Sequence, residues 1–195
     1  MQDSLFSAQS VESNETLDEI NDELLRRAKS LPQFKERVLI FGEGSVGAKV
    51  AVVGESPGPP DIESGRPFMG PAGLMLERIL SSIGLARKDC YLTNVVKAIS
   101  QGEEITPEWL GFFTPYLHRE LAAARPRVVI AFGNTPTRAL LRTKKPISQM
   151  RGEFHDYDGT PLMPTFNPAY LLRDPTRKRE VWEDMKKIRA LLAAS

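Results

Sequence analysis

Three loops of this sequence combine polar side chains with glycine and proline in ways that suit ligand chemistry. The first, residues 54–61, reads Gly-Glu-Ser-Pro-Gly-Pro-Pro-Asp, and such a loop is stiff and lets the backbone come close to a ligand. Its Glu55 carboxylate can orient a water molecule. Asn94 in the second loop offers a donor and an acceptor together, and Asn167 in the third can donate to an oxyanion. The plainer alternatives are a strand-to-helix turn for the first loop and a strand-end cap for Asn94.

Each of these loops follows a short apolar run that is typical of a buried strand, and helical patterns fill the segments between the runs. The predicted strands are 49–54, 90–96, 127–132 and 161–166. The predicted helices are 15–30, 72–84, 107–124, 135–142 and 174–194. Because strand and helix alternate four times, we predict an α/β fold, a three-layer α/β/α sandwich with a central four-stranded parallel sheet.

The predicted topology has a consequence for the polar residues. Parallel sheets bind ligands outside the carboxyl ends of their strands. We therefore expect the loops after the four strands to meet at one edge of the sheet. The loops that contain Glu55, Asn94 and Asn167 would then form a single site.

Size and composition fit one globular domain. The chain has 195 residues, of which 41% are hydrophobic and 26% charged, which is enough apolar material for a sizeable core. Residues 1–14 are polar and lack periodicity, so we expect a flexible arm there and a single domain over 15–195. The formal net charge of +1 argues neither for nor against nucleic acid, because a local basic patch is sufficient for binding.

Cysteine and histidine are too sparse for a disulfide or a metal site. Cys90 is the one cysteine of the sequence, and His118 and His155 have no partners at metal-ligand spacing. The first residues are polar and acidic rather than those of a secretion signal, and no apolar run is long enough to span a bilayer. We expect a cytoplasmic protein that does not associate with membranes.

The first loop resembles a motif of a known family. The letters GESPG at 54–58 and GRPFMGPAG at 65–73 resemble the first motif of the uracil-DNA glycosylase superfamily. The match is to the thermostable-type (family 4) bacterial and archaeal enzymes, which read Gly-Glu-Ala-Pro-Gly and Gly-x-Pro-Phe-x-Gly-x-Ala-Gly. The resemblance implies that Glu55 positions or activates the attacking water and that Phe68 stacks on a flipped-out uracil. The alternative is that Phe68 is a core residue.

The same resemblance assigns the neighbours of Glu55. It implies that Gly54 and Ser56 lie beside the base and that Pro57 and Gly58 contact DNA. The chemistry needs such a site because breaking an N-glycosidic bond builds positive charge on the sugar and negative charge on the leaving base. A carboxylate near the sugar stabilises the first of these charges.

The second loop also resembles the family. In Leu92–Lys97, which reads LTNVVK, the family places the Asn that reads uracil, and this position is Asn94. An Asn amide can pair with O4 and N3–H of uracil, whereas cytosine has the opposite polarity at position 4.

The third loop departs from the family pattern, His-Pro-(Ser/Ala)-x-Leu-Leu-Arg. The family His donates to O2 of the departing base, and here the position is Asn167 in the run NPAYLLR. Loss of one such donor typically costs about 10²–10³ in rate. The mismatch-specific branch also has Asn-Pro, so Asn167 is compatible with slow catalysis, altered specificity or an inactive variant.

The residues after Asn167 are expected at the rim of the site. The resemblance implies that this loop enters the minor groove with an apolar wedge. Leu171 is the wedge candidate, Arg173 is a phosphate contact and Tyr170 lies at the rim. The alternative is that Leu171 and Leu172 are both core residues. Lys97 and the charged run 177–180 are expected to be solvated or to graze DNA phosphates.

The family usually has four Cys that bind a [4Fe–4S] cluster. The matching positions hold Ala28, Leu31, Ala98 and Phe113, and Cys90 matches none of them. Apolar groups at all four positions can fill the space and stabilise the region by burial. We therefore predict no iron–sulfur cluster.

Removal of uracil from DNA by hydrolysis of the N-glycosidic bond is the leading expectation, with the protein acting as a monomer on uracil-containing DNA. One alternative is a glycosylase for another deaminated base, because Ser56 and Asn167 differ from the usual pattern. The other is a non-catalytic protein that binds DNA or a damaged base through a retained pocket.

Overall fold

A computed structural model describes residues 15–98 and 104–194 of the protein. In these residues one sheet has five strands, with the order β2-β1-β3-β5-β4. The strands are β1 (Val50–Gly54), β2 (Cys90–Asn94), β3 (Val128–Phe132), β4 (His155–Tyr157) and β5 (Thr160–Thr165). The helices are α1 (Leu17–Lys29), α2 (Pro59–Ser64), α3 (Gly70–Ser81), α4 (Pro107–Ala124), α5 (Asn134–Leu141), α6 (Ile147–Met150), α7 (Pro168–Arg173) and α8 (Lys178–Ala193). The expected arm at 1–14 lies outside the described residues.

The four predicted strands are present and pair in parallel, β2 with β1, β1 with β3 and β3 with β5. The prediction of a four-stranded sheet was nevertheless wrong, because β4 adds an antiparallel edge strand to β5. The two strands are joined by Asp158 and Gly159, both with positive φ, which is the turn that suits a tight hairpin. A strand of three residues is too short to show a period in the sequence.

Helices cover both faces of the sheet. Successive strand residues point to opposite faces, so neighbouring residues of one strand belong to different cores. Ala51 and Val53 of β1 belong to a core with α1 and α4, whose buried members include Ile20, Leu24, Leu117 and Leu121. Val50 and Val52 belong to a second core with α3 and α8, whose buried members include Leu76, Leu80, Met185 and Ile188. All four residues of this stretch of β1 are fully buried, as expected for a central strand.

Helix starts follow the sequence where a side chain caps the helix, and differ from it elsewhere. Thr16 and Glu19 form a reciprocal capping box on α1, and Thr106 caps α4 ahead of Pro107, as its residue type favours. The predicted helix 174–194 is shorter, since α8 begins at Lys178, and a separate short helix, α7, precedes it. The segment between the first predicted strand and the predicted helix 72–84 contains α2, which was not predicted because prolines begin it.

No helix among the described residues is both long and apolar enough to cross a membrane.

Candidate active site at the carboxyl edge of the sheet

The segments that follow the four parallel strands lie at the carboxyl edge of the sheet, and the one after β3 adds a polar side chain to the three that the sequence indicated. Backbone hydrogen bonds continue past the strands and hold neighbouring loops together. Val95 N donates to Gly54 O at 2.9 Å, and Gly133 N donates to Thr165 O at 2.8 Å. Across this edge the polar side chains follow the order of the strands, from Asn94 through Glu55 and Thr135 to Asn167. Thr135, at the start of α5, was not predicted to contribute to the site.

Gly54 brings the predicted stacking ring and the predicted reading amide together. A Cβ at Gly54 would lie 2.4 Å from Asn94 Oδ1 and 2.7 Å from Phe68 Cζ. Any larger residue would therefore displace both groups. Phe68 and Asn94, which are far apart in sequence, lie on the same side of the molecule and contact the same glycine.

The backbone of Phe68 is in an unusual conformation. Its φ of 56° lies in the left-handed region, which is rare for a bulky residue and carries strain. Arg87 Nη1 donates to Phe68 O at 3.1 Å, and Arg87 Nη2 donates to Pro67 O. A Cβ at Gly73 would lie 1.8 Å from Phe68 O. Only glycine at this position therefore allows α3 to come so close to the Phe68 carbonyl. Together these contacts fix where the Phe68 ring points.

Arg87 is itself held by Glu43, which also binds Arg66. The Arg87 Nη2 to Glu43 Oε2 distance is 3.0 Å and the Arg66 Nη2 to Glu43 Oε1 distance is 2.6 Å. The hydrogen bond from Arg66, with that from Arg87, lowers the pKa of Glu43 to about 2. The carboxylate thus stays charged at neutral pH and keeps Arg87 in place.

Asp61 ties together the two ends of the first loop. This buried carboxylate accepts from Gly58 N at 3.0 Å and from Met69 N at 2.7 Å. Asp61 is the third residue of α2 and bonds back to the residue before the helix, a capping arrangement. The sequence carried that signal, an acidic residue three positions after Gly58, but the helix itself was not predicted.

The Asn94 side chain is only 3% exposed. Within residues 15–98 and 104–194 its amide makes no hydrogen bond to the protein. Its donor and acceptor are therefore available to a ligand that enters beside Gly54. Its backbone carbonyl accepts from Lys97 Nζ at 2.6 Å.

Lys97 is fully buried, so the expectation of a solvated side chain was wrong. Its Nζ donates to Thr93 Oγ1 at 2.7 Å and lies 2.8 Å from Glu120 Oε2, which is also fully buried. Burial lowers the pKa of Lys97, while the charge of Glu120 acts in the opposite direction. Lys97 lies three residues after the end of β2 and pairs with a residue of α4, which the sequence could not show.

Glu55 has an exposed carboxylate, and Oε2 accepts a hydrogen bond from Thr135 Oγ1. The backbone carbonyl of Glu55 accepts from Val96 N at 2.9 Å. The carboxylate therefore lies beside Gly54, between the loop after β2 and the start of α5. It lies where a water molecule can be held next to a ligand at Gly54.

Asn167 caps α7, and the cap fixes the orientation of its amide. Oδ1 accepts from Ala169 N at 2.8 Å, and Nδ2 donates to Phe132 O at 3.4 Å. Because the oxygen accepts from Ala169 N and one N–H donates to Phe132 O, the second N–H of the amide is left for a ligand. The sequence suggested that an Asn lacks the rigidity of a His ring, and the cap supplies part of that rigidity.

An ion pair between the partly exposed Arg151 and the buried Asp184 supports the strand that leads to Asn167. Thr165 Oγ1 donates to Asp184 Oδ2, and Arg151 Nε donates to the same oxygen at 3.2 Å. Burial raises the pKa of Asp184, while the hydrogen bond from Thr165 and the charge of Arg151 lower it. The end of β5 is thereby anchored to α8.

Two residues expected at the rim, Leu171 and Pro57, are buried. Leu171 is 1% exposed and belongs to the core beneath α3, so it does not project as a wedge. Because α7 is helical from Pro168, the next residue, Leu172, points outward and is 45% exposed. Pro57 is buried, whereas Ser56 and Gly58 are half-buried. Tyr170 donates to Asp174 Oδ2 at 3.1 Å, and Arg173 is exposed.

The four positions that match cluster ligands in the family lie in or against the same hydrophobic core. Ala28, Ala98 and Phe113 are buried in one core, and Leu31 packs against it. None offers a thiolate, and these residues do not fit an iron–sulfur cluster. Cys90 lies in the other core, where burial raises the pKa of its thiol to about 12. In the described part of the chain no group of three or more His, Cys, Asp or Glu residues could hold a metal ion.

Comparison with known proteins agrees with this arrangement. A family model described as the uracil DNA glycosylase superfamily matches residues 41–186. A Type-4 uracil-DNA glycosylase of Thermotoga maritima is 33% identical over 186 residues, which cover 92% of this chain and 97% of the relative. Relatives with the same name from Saccharolobus solfataricus and Pyrobaculum aerophilum are 31% and 34% identical over 191 and 176 residues. These alignments cover 92% and 84% of this chain and 88% of each relative.

An α/β fold whose strand-end loops place a carboxylate, an aromatic ring and two amides along one edge defines the class of site. The chain belongs to the uracil-DNA glycosylase superfamily.

Proposed function

We propose that this protein removes uracil from DNA by hydrolysing its N-glycosidic bond. The observation that carries the proposal is the meeting of the Phe68 ring and the Asn94 amide at Gly54, with the Glu55 carboxylate on the adjoining residue. The relatives named as Type-4 uracil-DNA glycosylases support the same activity.

Recognition uses the ring and the amide. Uracil, turned out of the helix, stacks on Phe68, since an aromatic face holds a planar base. The buried Asn94 amide pairs with O4 and N3–H. Cytosine would place a donor opposite the Asn94 donor, and that mismatch in a desolvated site disfavours it.

Cleavage uses Glu55 and Asn167. Glu55 holds water near the anomeric carbon and stabilises the positive charge that develops on the sugar. The bond between C1′ and N1 breaks, its electron pair leaves with the base, and the water oxygen bonds to C1′. Asn167 donates its free N–H to O2 of the leaving base. The base takes up one proton and the water gives up one, so the step balances without a redox group.

Contacts with DNA come from the rim. Gly58 at the start of α2 and the exposed Arg173 suit phosphate contacts. Leu172 replaces Leu171 as the side chain that fills the vacated stack, because it is the exposed one of the pair.

Other features of the protein follow from the same proposal. We infer that the chain acts without an iron–sulfur cluster, since apolar side chains occupy the matching positions in the first core. We also infer a single domain over 15–195 that works as a monomer. We interpret the sheet, with helices on both of its faces, as a three-layer α/β/α sandwich in which β4 is an added edge strand.

Asn167 favours a second candidate, excision of another deaminated base. An amide that donates one N–H toward O2 is less selective than a rigid ring, so the substrate class extends to bases that Asn94 can still read. A non-catalytic DNA binder is the outcome to be excluded by the test.

The test is excision from oligonucleotides that contain uracil, measured as alkali-labile sites. Wild-type protein should cut, and Asn94→Ala should abolish cutting. Asn167→Asp keeps a cap for α7 but removes the donor, so the rate should fall by about 10²–10³. Asn167→His should raise the rate if the amide is a weakened donor. A protein that shifts the oligonucleotide in a gel without cutting it would contradict the proposal.

A further inference from the structure

The start of α5 contributes a group to the site that has no assigned role. The geometry points to Thr135 as a positioning residue for Glu55, and this inference rests on the proposed function. The Thr135 hydroxyl donates to Oε2 of the Glu55 carboxylate across 80 positions of sequence. Thr135 would act through Glu55, without touching the base.

The Glu55 carboxylate depends on this contact for its orientation. Within residues 15–98 and 104–194, Thr135 is the group that hydrogen-bonds to it, and no ion pair reaches it. An exposed Glu side chain has several accessible rotamers, and one fixed oxygen reduces that freedom. With Oε2 engaged by the hydroxyl, Oε1 is left to hold the attacking water.

The fold holds Thr135 firmly enough to do this. Gly133 turns the chain at the end of β3 with φ of 99°, a conformation that favours glycine. Its backbone N–H is bonded to Thr165 O at 2.8 Å, and its carbonyl accepts from Thr137 Oγ1 at 2.7 Å. Asn134 Oδ1 accepts from Ile147 N at 2.8 Å. Thr135 is the second residue of α5, and the turn that leads into this helix is anchored on both sides.

Threonine suits the role because its branched side chain is restricted at χ1. The hydroxyl is thus aimed rather than free to rotate among rotamers. This gives a matched pair of variants. Thr135→Val keeps the shape and removes the hydroxyl, whereas Thr135→Ser keeps the hydroxyl and removes the methyl group.

The experiment measures single-turnover excision and KM for uracil-containing DNA. Thr135→Val should lower the chemical rate by about tenfold, equivalent to about 1.4 kcal/mol, with KM changed less than about twofold. Thr135→Ser should recover most of the lost rate. In a Glu55→Ala background, Thr135→Val should have no further effect. Equal rates for wild type and Thr135→Val, or an equal loss in the Glu55→Ala background, would overturn the inference.

A second readout does not depend on activity. In protein labelled with ¹³C at the Glu carboxyl carbons, the Glu55 signal, assigned by its loss in Glu55→Ala, should move in Thr135→Val and stay near its wild-type position in Thr135→Ser. An unchanged signal in Thr135→Val contradicts the positioning role. If wild type excises nothing while the signal moves as expected, the proposed function fails and the Thr135 contact stands.

Discussion

The two sides of the candidate site are supported by ion pairs that differ in exposure. Behind Asn94, Lys97 and Glu120 are both fully buried. Behind Phe68, the side chains of Arg87 and Glu43 are 15% and 34% exposed. Both cations donate to a backbone carbonyl of the residue that faces the ligand, Asn94 in one case and Phe68 in the other.

The difference in exposure changes what each pair contributes. A buried pair is costly to break, because the remaining charge has neither water nor a partner. A partly exposed pair is screened, and either member can be rehydrated when the other is lost. The Asn94 side is therefore part of the folded core, whereas the Phe68 side is a loop fastened to it. Changes on the first side should appear mainly in stability, and changes on the second mainly in activity.

The largest effect is expected from Lys97→Met. The substitution leaves Glu120 buried without its cation, and Glu120 Oε1 already has no partner in the described residues. Unfolding in urea should show a loss of about 3–5 kcal/mol. The double variant Lys97→Met with Glu120→Leu should recover much of it. A single variant as stable as wild type would show that the buried pair is not what holds this side.

Gly54→Ala acts on both sides at once. The added methyl group would meet the Asn94 amide and the Phe68 ring, and displacing them by about 1 Å can cost about 10²-fold in rate. Overpacking typically costs about 1–3 kcal/mol in stability, less than breaking the buried pair. Excision kinetics and urea unfolding measure the two effects. Unaltered kinetics would mean that the two groups do not need their observed spacing.

Arg87→Met isolates the Phe68 side. Loss of the guanidinium frees two carbonyls from their donors, and the strained Phe68 backbone is then free to relax. We expect KM for uracil-containing DNA to rise by about tenfold, since stacking is lost, with a stability change below that of Lys97→Met. Arg87→Lys should recover little, because a single ammonium cannot serve Glu43 and both carbonyls. A large loss of stability with normal kinetics would reverse the comparison.

The parts of the site that were predictable are those with a local pattern. Four parallel strands follow from apolar runs and their alternation with helices. Asn94, Phe68 and Asn167 stand in motifs that keep their order along the chain. Their placement at one edge follows from the parallel sheet alone.

The supports of the site were not predictable, because they join distant segments. The Arg87–Glu43 contact spans 44 positions and the Thr135–Glu55 contact spans 80, and no local pattern marks an arginine or a threonine for such a pairing. Leu171 was misplaced for another reason. The side it faces depends on whether a helix begins at Pro168, and six residues do not establish a helical phase.

Glu43→Gln gives the smallest expected effect and separates the two functions of Arg87. The pKa of Glu43 is lowered from 4.5 to about 2 in the folded protein. Its charge therefore stabilises the fold fully above about pH 4.5, and this contribution disappears as the pH falls toward 2. The difference in urea midpoint between wild type and Glu43→Gln should be largest at neutral pH and vanish near pH 2.

At neutral pH the same variant leaves Arg87 with both of its carbonyl acceptors. If those bonds position Phe68, excision by Glu43→Gln should stay within about threefold of wild type, well short of the Arg87→Met loss. A stability difference that grows as the pH falls would have the wrong sign for a lowered pKa. A kinetic loss equal to that of Arg87→Met would place the positioning in the ion pair instead of the carbonyl contacts, and the two sides of the site would then depend on charge in the same way.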